Sequence, residues 1–527
     1  MRFAAFALAI LLAATPALAR ARAPVAFVPL DDRPVTRQLP VLLGTIAGRP
    51  VLTPPRVLLG RYLTPGDPEA IIAWVNGPGQ RAADYVISTD MLAYGGLVAS
   101  RIPGVRYADA YSRLRELAHV RAEHPQAWLG AFGTVMRLAP TGVPALGPAQ
   151  TFFAAYPAWK YLQQYANLHD PPLPGEEATA QRLRQLIGEP TLQAYLDTRT
   201  RNLEVDLKIL QLTGDGTISR TVLGQDDAGP VGLHLKDVRA LRAEVAQLGI
   251  AERATIEPGA DELGMAMIAQ ALDRGIGWTP HVAVRYSMPG GAMYNDPLEF
   301  APISVAIDGL VNLCGGVRDD ANPDLTLYVR VPKTDEPHDE QLLASMQTDV
   351  KAGRSVAFAD LTFLEGTFDA QARFVEAMMN AGIAGKIDAY SSWNTNANTV
   401  GTALAEAIAA GVGRRAHAYD ALAHADFTFD RYMDDYLFHD YVRPDLNAAL
   451  SAQGIADHTY LLPDQATPIT QRNNAELWNR ATGILGKIYP GYHIAAMQIT
   501  LPWDRTFETE IEVRLAPALP ANAAENR

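Results

Sequence analysis

Cysteine is almost absent: Cys314 stands alone in 527 residues, so no intramolecular disulfide can brace the fold. It ends the apolar stretch Leu310 to Cys314, which marks a buried inert thiol rather than a nucleophile. Long apolar runs are equally scarce beyond the first residues. Leu404 to Val412 is short and broken by Glu406, so no membrane span and no integral membrane contact are expected. A basic excess is missing as well, since Lys and Arg number 45 against 58 Asp and Glu, a formal net charge of −13 without long single-sign runs. That balance speaks against nucleic acid and anionic membrane surfaces as partners. The eleven histidines form no H-x-H or H-E-x-x-H pair and no G-x-S-x-G occurs, so neither a zinc site nor a serine-hydrolase elbow is indicated and no cofactor is expected. An oxygen-ligand site built from Asp31, Asp90 or Asp226 stays open on residue type alone.

What is present begins with Met1-Arg2, an apolar run from Phe3 to Leu18 interrupted by Pro16, and the small-x-small ending Ala17-Leu18-Ala19. This pattern predicts an export leader cleaved after Ala19, hence a periplasmic or secreted protein. The length exceeds what one core organises, and hydrophobic residues at 48% suffice to fill several. From Val25 onward, short β-branched or apolar runs alternate with helical patterns, the signature of a mostly parallel α/β sheet. The runs are Val25 to Leu30, Pro50 to Thr53, Asp84 to Ser88, Trp128 to Met136, Thr217 to Leu223, Ala254 to Glu257, His281 to Tyr286, Leu325 to Val331, Ser355 to Leu361 and Lys386 to Ser391. Helical periodicity fills the gaps, as in Ala178 to Leu212. The expected organisation is a barrel-like or doubly wound main domain over 24–300, a smaller three-layer α/β unit over 301–413, and a mostly helical region over 414–527 that ends in a strand pair.

Ligands of parallel α/β folds bind beyond the carboxyl ends of the strands, and here those ends are acidic. The most specific is Gly224-Gln225-Asp226-Asp227-Ala228-Gly229-Pro230. Two carboxylates held close cannot ionise independently, so one can serve as an acid near neutrality, as a glycosidase requires. The structural alternative is that Asp227 starts a turn and Asp226 caps the following helix. Asp31-Asp32-Arg33-Pro34 after the first strand suits binding or the fastening of a loop, while Asp261-Glu262 suits helix capping. Asp90 precedes Tyr94-Gly95-Gly96, where backbone and an aromatic ring can approach a ligand, and Arg137 and Arg285 stand at two further strand ends. Trp393-Asn394-Thr395 opens an apolar helix, a place for a ring to stack on a sugar and an amide to bind hydroxyls, with capping by Asn398 or Thr399 as the plainer reading. In the tract Asp430 to Asp440 a packing face with a solvated acidic side is expected, and His439 is a minor candidate for a lining role.

The segments Pro29 to Pro34, Gly224 to Asp227, Gly259-Ala260-Asp261-Glu262, Trp393 to Thr395 and Pro502-Trp503-Asp504-Arg505 together resemble a bacterial secreted domain-of-unknown-function family of similar length. The paired aspartates and the Trp-Asn strand end are also similar to the retaining β-N-acetylglucosaminidases of the O-GlcNAcase kind. That resemblance implies that Asp226 polarises a substrate acetamido group and Asp227 protonates the leaving oxygen, although here the pair follows the fifth strand and not the fourth. The resulting expectation is an exported carbohydrate-active hydrolase of a glycan or other small polar substrate, with Asp226 and Asp227 catalytic and with Asp31, Asp32, Arg33, Asp90, Tyr94, Arg137, Trp393 and Asn394 binding substrate. A metal-assisted hydrolase and a non-catalytic glycan-binding protein are the competing expectations.

Overall fold

The alternation of strands and helices folds into two parallel sheets in a computed structural model that describes residues 23–142, 156–363 and 368–518. The expected leader and its expected cleavage after Ala19 lie outside the described residues. The first sheet contains β1 (Val25–Val28), β2 (Val51–Leu52), β3 (Asp84–Ser88), β4 (Leu129–Val135), β5 (Arg220–Gln225) and β6 (Ala254–Pro258), in the order β2-β1-β3-β4-β5-β6. The second contains β7 (His281–Tyr286), β8 (Val317–Arg318), β9 (Leu325–Arg330), β10 (Ser355–Asp360) and β11 (Ala389–Ser391), in the order β11-β10-β9-β7-β8. Every neighbouring pair in both is parallel. Counted from its own first strand, each sheet runs second, first, third, fourth, fifth, and the first sheet adds a sixth strand at the end. This is a doubly wound order, open rather than closed into a barrel.

The central strands are buried on both faces, as in Val25-Ala26-Phe27-Val28, and their sequence is therefore continuously apolar instead of alternating. Helices Leu39–Ala47, Leu263–Ile276, Ile303–Leu313 and Asn396–Arg415 lie between the sheets. One core runs from Phe27 and Phe132 of the first sheet, through Leu43, Met267 and Leu404, to Val282 and Leu327 of the second. Asn396–Arg415 is buried from Asn396 to Gly413, and a helix without a wet face belongs at the centre of a large core. Its alanines and glycines keep it thin enough for that place; the Glu262 side chain lies where a Cβ on Gly401 would stand. Helix Glu189–Gly214 covers the outer face of the first sheet, and Glu336–Lys351 with Phe368–Asn380 covers that of the second. The result is five layers, helix, sheet, helix, sheet, helix.

Three expectations change. The seam near 300 does not separate the sheets, because β7 precedes it and is hydrogen-bonded to β9. The helix expected over Ala178 to Leu212 is two, Glu176–Ile187 and Glu189–Gly214, since Gly188 at φ 85° breaks the first and Pro190 restarts the second. The acidic tract 430–440 is not solvated. Asp430, Asp434 and Asp435 surround the fully buried Arg431, which supplies the charge that lets them leave water. After the helices Ala421–Arg431, Arg443–Ala452 and Pro463–Ile488, the chain closes with the antiparallel pair β12 (Tyr492–Thr500) and β13 (Glu510–Pro517). No helix among the described residues is long and apolar enough to cross a membrane.

Candidate active site

The carboxyl ends of β4, β5 and β6 and the loop after β1 open into a cleft of about 430 Å³. Its opposite wall comes from the segment after β11, with Asn394, Thr395 and Asn398, and from the C-terminal region, with Arg443, Trp503 and Arg505. The beginning, middle and end of the chain therefore meet at one place.

At the end of β5, a Cβ on Gly224 would overlap the Gly259 carbonyl oxygen, so glycine is what lets the ends of β5 and β6 close up. Past the strand, the regular alternation of side-chain direction no longer applies, and both aspartates line the cleft. Asp226 is only 4% exposed and accepts a hydrogen bond from Arg101 Nη2 at 2.5 Å. Burial pushes its carboxyl up to about 6, with the Arg101 guanidinium pulling the other way. The Asp227 side chain is 33% exposed and accepts from Arg137 Nη1 at 3.2 Å. Neither caps the next helix, His234–Leu248, which starts without a side-chain cap.

Arg33 lines the cleft in a double clasp. Its Nη2 donates to Asp31 Oδ2 at 2.7 Å and to Asp261 Oδ1 at 2.6 Å, and Thr36 Oγ1 donates to the same Asp31 carboxylate. Asp261 is thus spent on an ion pair, and helix Leu263–Ile276 has no side-chain cap of the kind expected from it. Asp32 accepts from Trp503 Nε1 at 2.6 Å and from Arg56 Nε at 3.1 Å. It fixes Trp503 at φ 59°, a left-handed conformation costly for a bulky residue and held only where surroundings over-determine it. The guanidinium groups of Arg33 and Arg505 each lie 4.6 Å from the Trp503 ring centre, and Tyr62 stacks on it at 5.1 Å.

Other expected residues lie away from the cleft wall. Asp31 and Asp32 sit behind it, holding Arg33 and Trp503. Asp90 is buried deeper, with its carboxyl raised to about 7 by burial and its Oδ2 without a partner. Tyr94 is buried too, with Arg201 4.5 Å above its ring. Trp393 is a core residue: its indole Nε1 donates to Thr402 Oγ1 at 3.1 Å, so it offers no ring to a ligand. Its neighbour Asn394, at φ 49°, does line the cleft, donating to Asn398 Oδ1 at 2.8 Å. Thr395 and Asn398 form a capping box, and Asn398 Nδ2 donates to Glu262 Oε2 at 2.6 Å. Arg285 pairs with Asp320 on the second sheet, and His439 is buried behind the wall.

Sequence reasoning passed over Arg101, Glu299, Arg443 and Phe507, all of which line the cleft. Only Trp503 and Arg505 carried a signal, through the Pro502 to Arg505 segment. Glu299 Oε1 accepts from the Ala397 amide at 2.6 Å while Oε2 has no partner, and burial pushes this carboxyl up to about 8. Burial pushes Glu262 up to about 8 as well. Among the described residues no three of His, Cys, Asp and Glu gather in a way that could hold a metal ion; Asp31 is engaged by Arg33 and Thr36. The arrangement can move a proton near neutrality at Asp226, and it presents an ionisable pair, guanidinium groups and amides to a polar ligand.

A family model described as "Protein of unknown function (DUF4127)" matches residues 25–512, a span that contains all five motif segments gathered around this cleft. No curated protein and no solved structure matches the chain.

Proposed function

Because the chain belongs to the DUF4127 family, whose description assigns no function, its chemistry has to come from the cleft, and we propose that it is an exported glycoside hydrolase. The observation that carries this reading is the Asp226-Asp227 pair, released from capping and lining one cleft with two different environments. Asp226, raised to about 6 by burial, donates its proton to the departing glycosidic oxygen. Asp227, open to the cleft and oriented by Arg137, faces the sugar carbon as positive charge develops there and takes the proton of the water that adds to it. This reverses the roles implied by the resemblance to acetamido-assisted enzymes, because the raised carboxyl is the better acid. Tyr62, Trp503 and Phe507 supply apolar surface, and Asn394, Thr395 and Thr141 supply polar groups, a mixture that suits a polyol.

The test is release of reducing ends from a broad glycan panel by the chain beginning at Arg20, alongside Asp226→Asn and Asp227→Asn. Turnover that both substitutions abolish while both variants still unfold cooperatively supports the assignment. Full activity in both variants overturns it, and binding without turnover across the panel makes the protein a glycan receptor instead.

A further inference from the structure

Five arginines line the cleft: Arg33, Arg101, Arg137, Arg443 and Arg505. Four have a carboxylate partner. Arg33 has Asp31 and Asp261, Arg101 has Asp226, Arg137 has Asp227 and Arg505 has Glu508. Arg443 has no ion-pair partner among the described residues. Its one polar contact is Nη1 to His439 Nδ1 at 3.4 Å, and burial, with Arg443 and Arg431 nearby, pushes that imidazole well below its ordinary range, so it is neutral and brings no counter-charge. Arg443 and Arg505 also crowd each other. Their guanidinium groups lie 5.3 and 4.7 Å from the centre of the same Phe507 ring, and Arg505 Nε is buried without a partner. Glu508, which pairs with Arg505, and Asp434 are the carboxylates that offset the Arg443 charge, but neither makes an ion pair with Arg443, whose guanidinium therefore keeps donors for an anion in the cleft. The carboxylates paired here equal the five arginines in number, so what sets this end of the cleft apart is an arginine without a direct ion pair.

We infer that Arg443 and Arg505 form an oxyanion subsite, so that the glycan cleaved at Asp226-Asp227 carries an acidic substituent, a carboxylate, sulfate or phosphate. The inference rests on the glycosidase reading for the cleavage step but not for the binding step. Arg443 supplies the unpaired charge and Arg505 the free Nε, while Phe507 keeps both guanidinium planes in place and excludes water from one side. An acidic sugar bound there places its neighbouring glycosidic bond further along the cleft, toward the β5 end.

The experiment is calorimetric titration of the chain beginning at Arg20 with three matched pairs: oligogalacturonate and its methyl ester, a sulfated glycosaminoglycan disaccharide and its desulfated form, and a hexose phosphate and its parent hexose. At least one acidic member is expected to bind about 100-fold tighter than its neutral partner and to weaken with added salt, and the pair that shows this identifies the substituent. Arg443→Gln should erase the preference while leaving the unfolding midpoint in place, and Arg443→Lys should restore part of it. Equal binding of acidic and neutral members, binding of neither, or a preference that survives Arg443→Gln overturns the subsite. The two readings fail separately. An acidic preference that persists in Asp226→Asn without any hydrolysis by the parent overturns the glycosidase alone, whereas hydrolysis with no acidic preference overturns the subsite alone.

Discussion

The two sheets have the same strand order and treat charge at their carboxyl ends in opposite ways. At the ends of the second sheet the carboxylates are taken up. Arg330 donates to both Asp339 and Asp360, Asp360 also accepts from the Thr362 amide and hydroxyl, and Asp435 accepts from Ser391 Oγ, the Ser392 amide and Arg431. Around the ends of the first sheet, Asp90, Glu262 and Glu299 each keep one buried oxygen without a partner, and Arg101 and Arg505 each keep an unused Nε. Native proteins pair nearly all their buried polar groups; exceptions occur at both edges, Arg431 Nε, Ser392 Oγ and Gln371 Oε1 at the second, but those of Arg101, Glu299 and Arg505 line the cleft. Topology decides where a crevice can open, and the completeness of local pairing decides which crevice is left for a ligand.

The largest effect that would sharpen this contrast is at the first edge. Asp226→Asn or Asp227→Asn should lower kcat on a cleaved glycan by about 10²- to 10⁴-fold, with urea unfolding unchanged in Asp227→Asn, whose side chain is partly exposed, and lowered in Asp226→Asn, which leaves buried Arg101 without its counter-charge. The matching perturbation at the second edge should do the reverse. Arg431→Met leaves Asp430, Asp434 and Asp435 buried without their cation and should cost about 3–5 kcal/mol in urea unfolding, with activity per folded molecule retained; lost activity at unchanged stability would break the comparison. The third effect is on pH. Hydrolysis should decline as pH rises through about 6, where Asp226 gives up its proton. Glu262 and Glu299 are raised above their ordinary value to about 8, so the stability they contribute is complete below that ordinary value and is lost as pH rises through about 8. Melting temperature should therefore fall as pH rises from the ordinary carboxyl range to about 8 and level off above it, and Glu262→Gln with Glu299→Gln should flatten the fall. The smallest effect on stability is expected of Thr395→Ala, which removes the cap of helix Asn396–Arg415 and should cost about 1 kcal/mol in unfolding.

Much of the fold could be read from the sequence because each parallel strand is a short apolar run bounded by turn residues. All ten expected runs contain a strand, and only the two-residue β8 (Val317–Arg318) was passed over, too short and too exposed to leave a pattern. What could not be read was their assembly. The order of strands depends on pairing between segments far apart in the chain, and the two sheets repeat a topology without repeating a sequence. The cleft divides along the same line. Arg33, Arg137, Asp226, Asp227 and Asn394 follow strands, where sequence position alone singles them out. Arg101 and Arg443 belong to no strand end and enter through tertiary packing. Trp393 shows the opposite failure, a residue beside the cleft in sequence whose indole is held in the core by Thr402, while Asn394 at φ 49° turns to the cleft.

The helical layer shared by both sheets also governs how a ligand must enter. Many proteins made of two doubly wound halves swing about a hinge, but here Phe27, Met267, Leu404 and Val282 belong to one continuous apolar mass, and an interface of that kind resists relative motion. The cleft is consequently a fixed mould and not a pair of jaws. Scattering profiles with and without bound ligand should superimpose, and selectivity should follow from the shape and charge already in place.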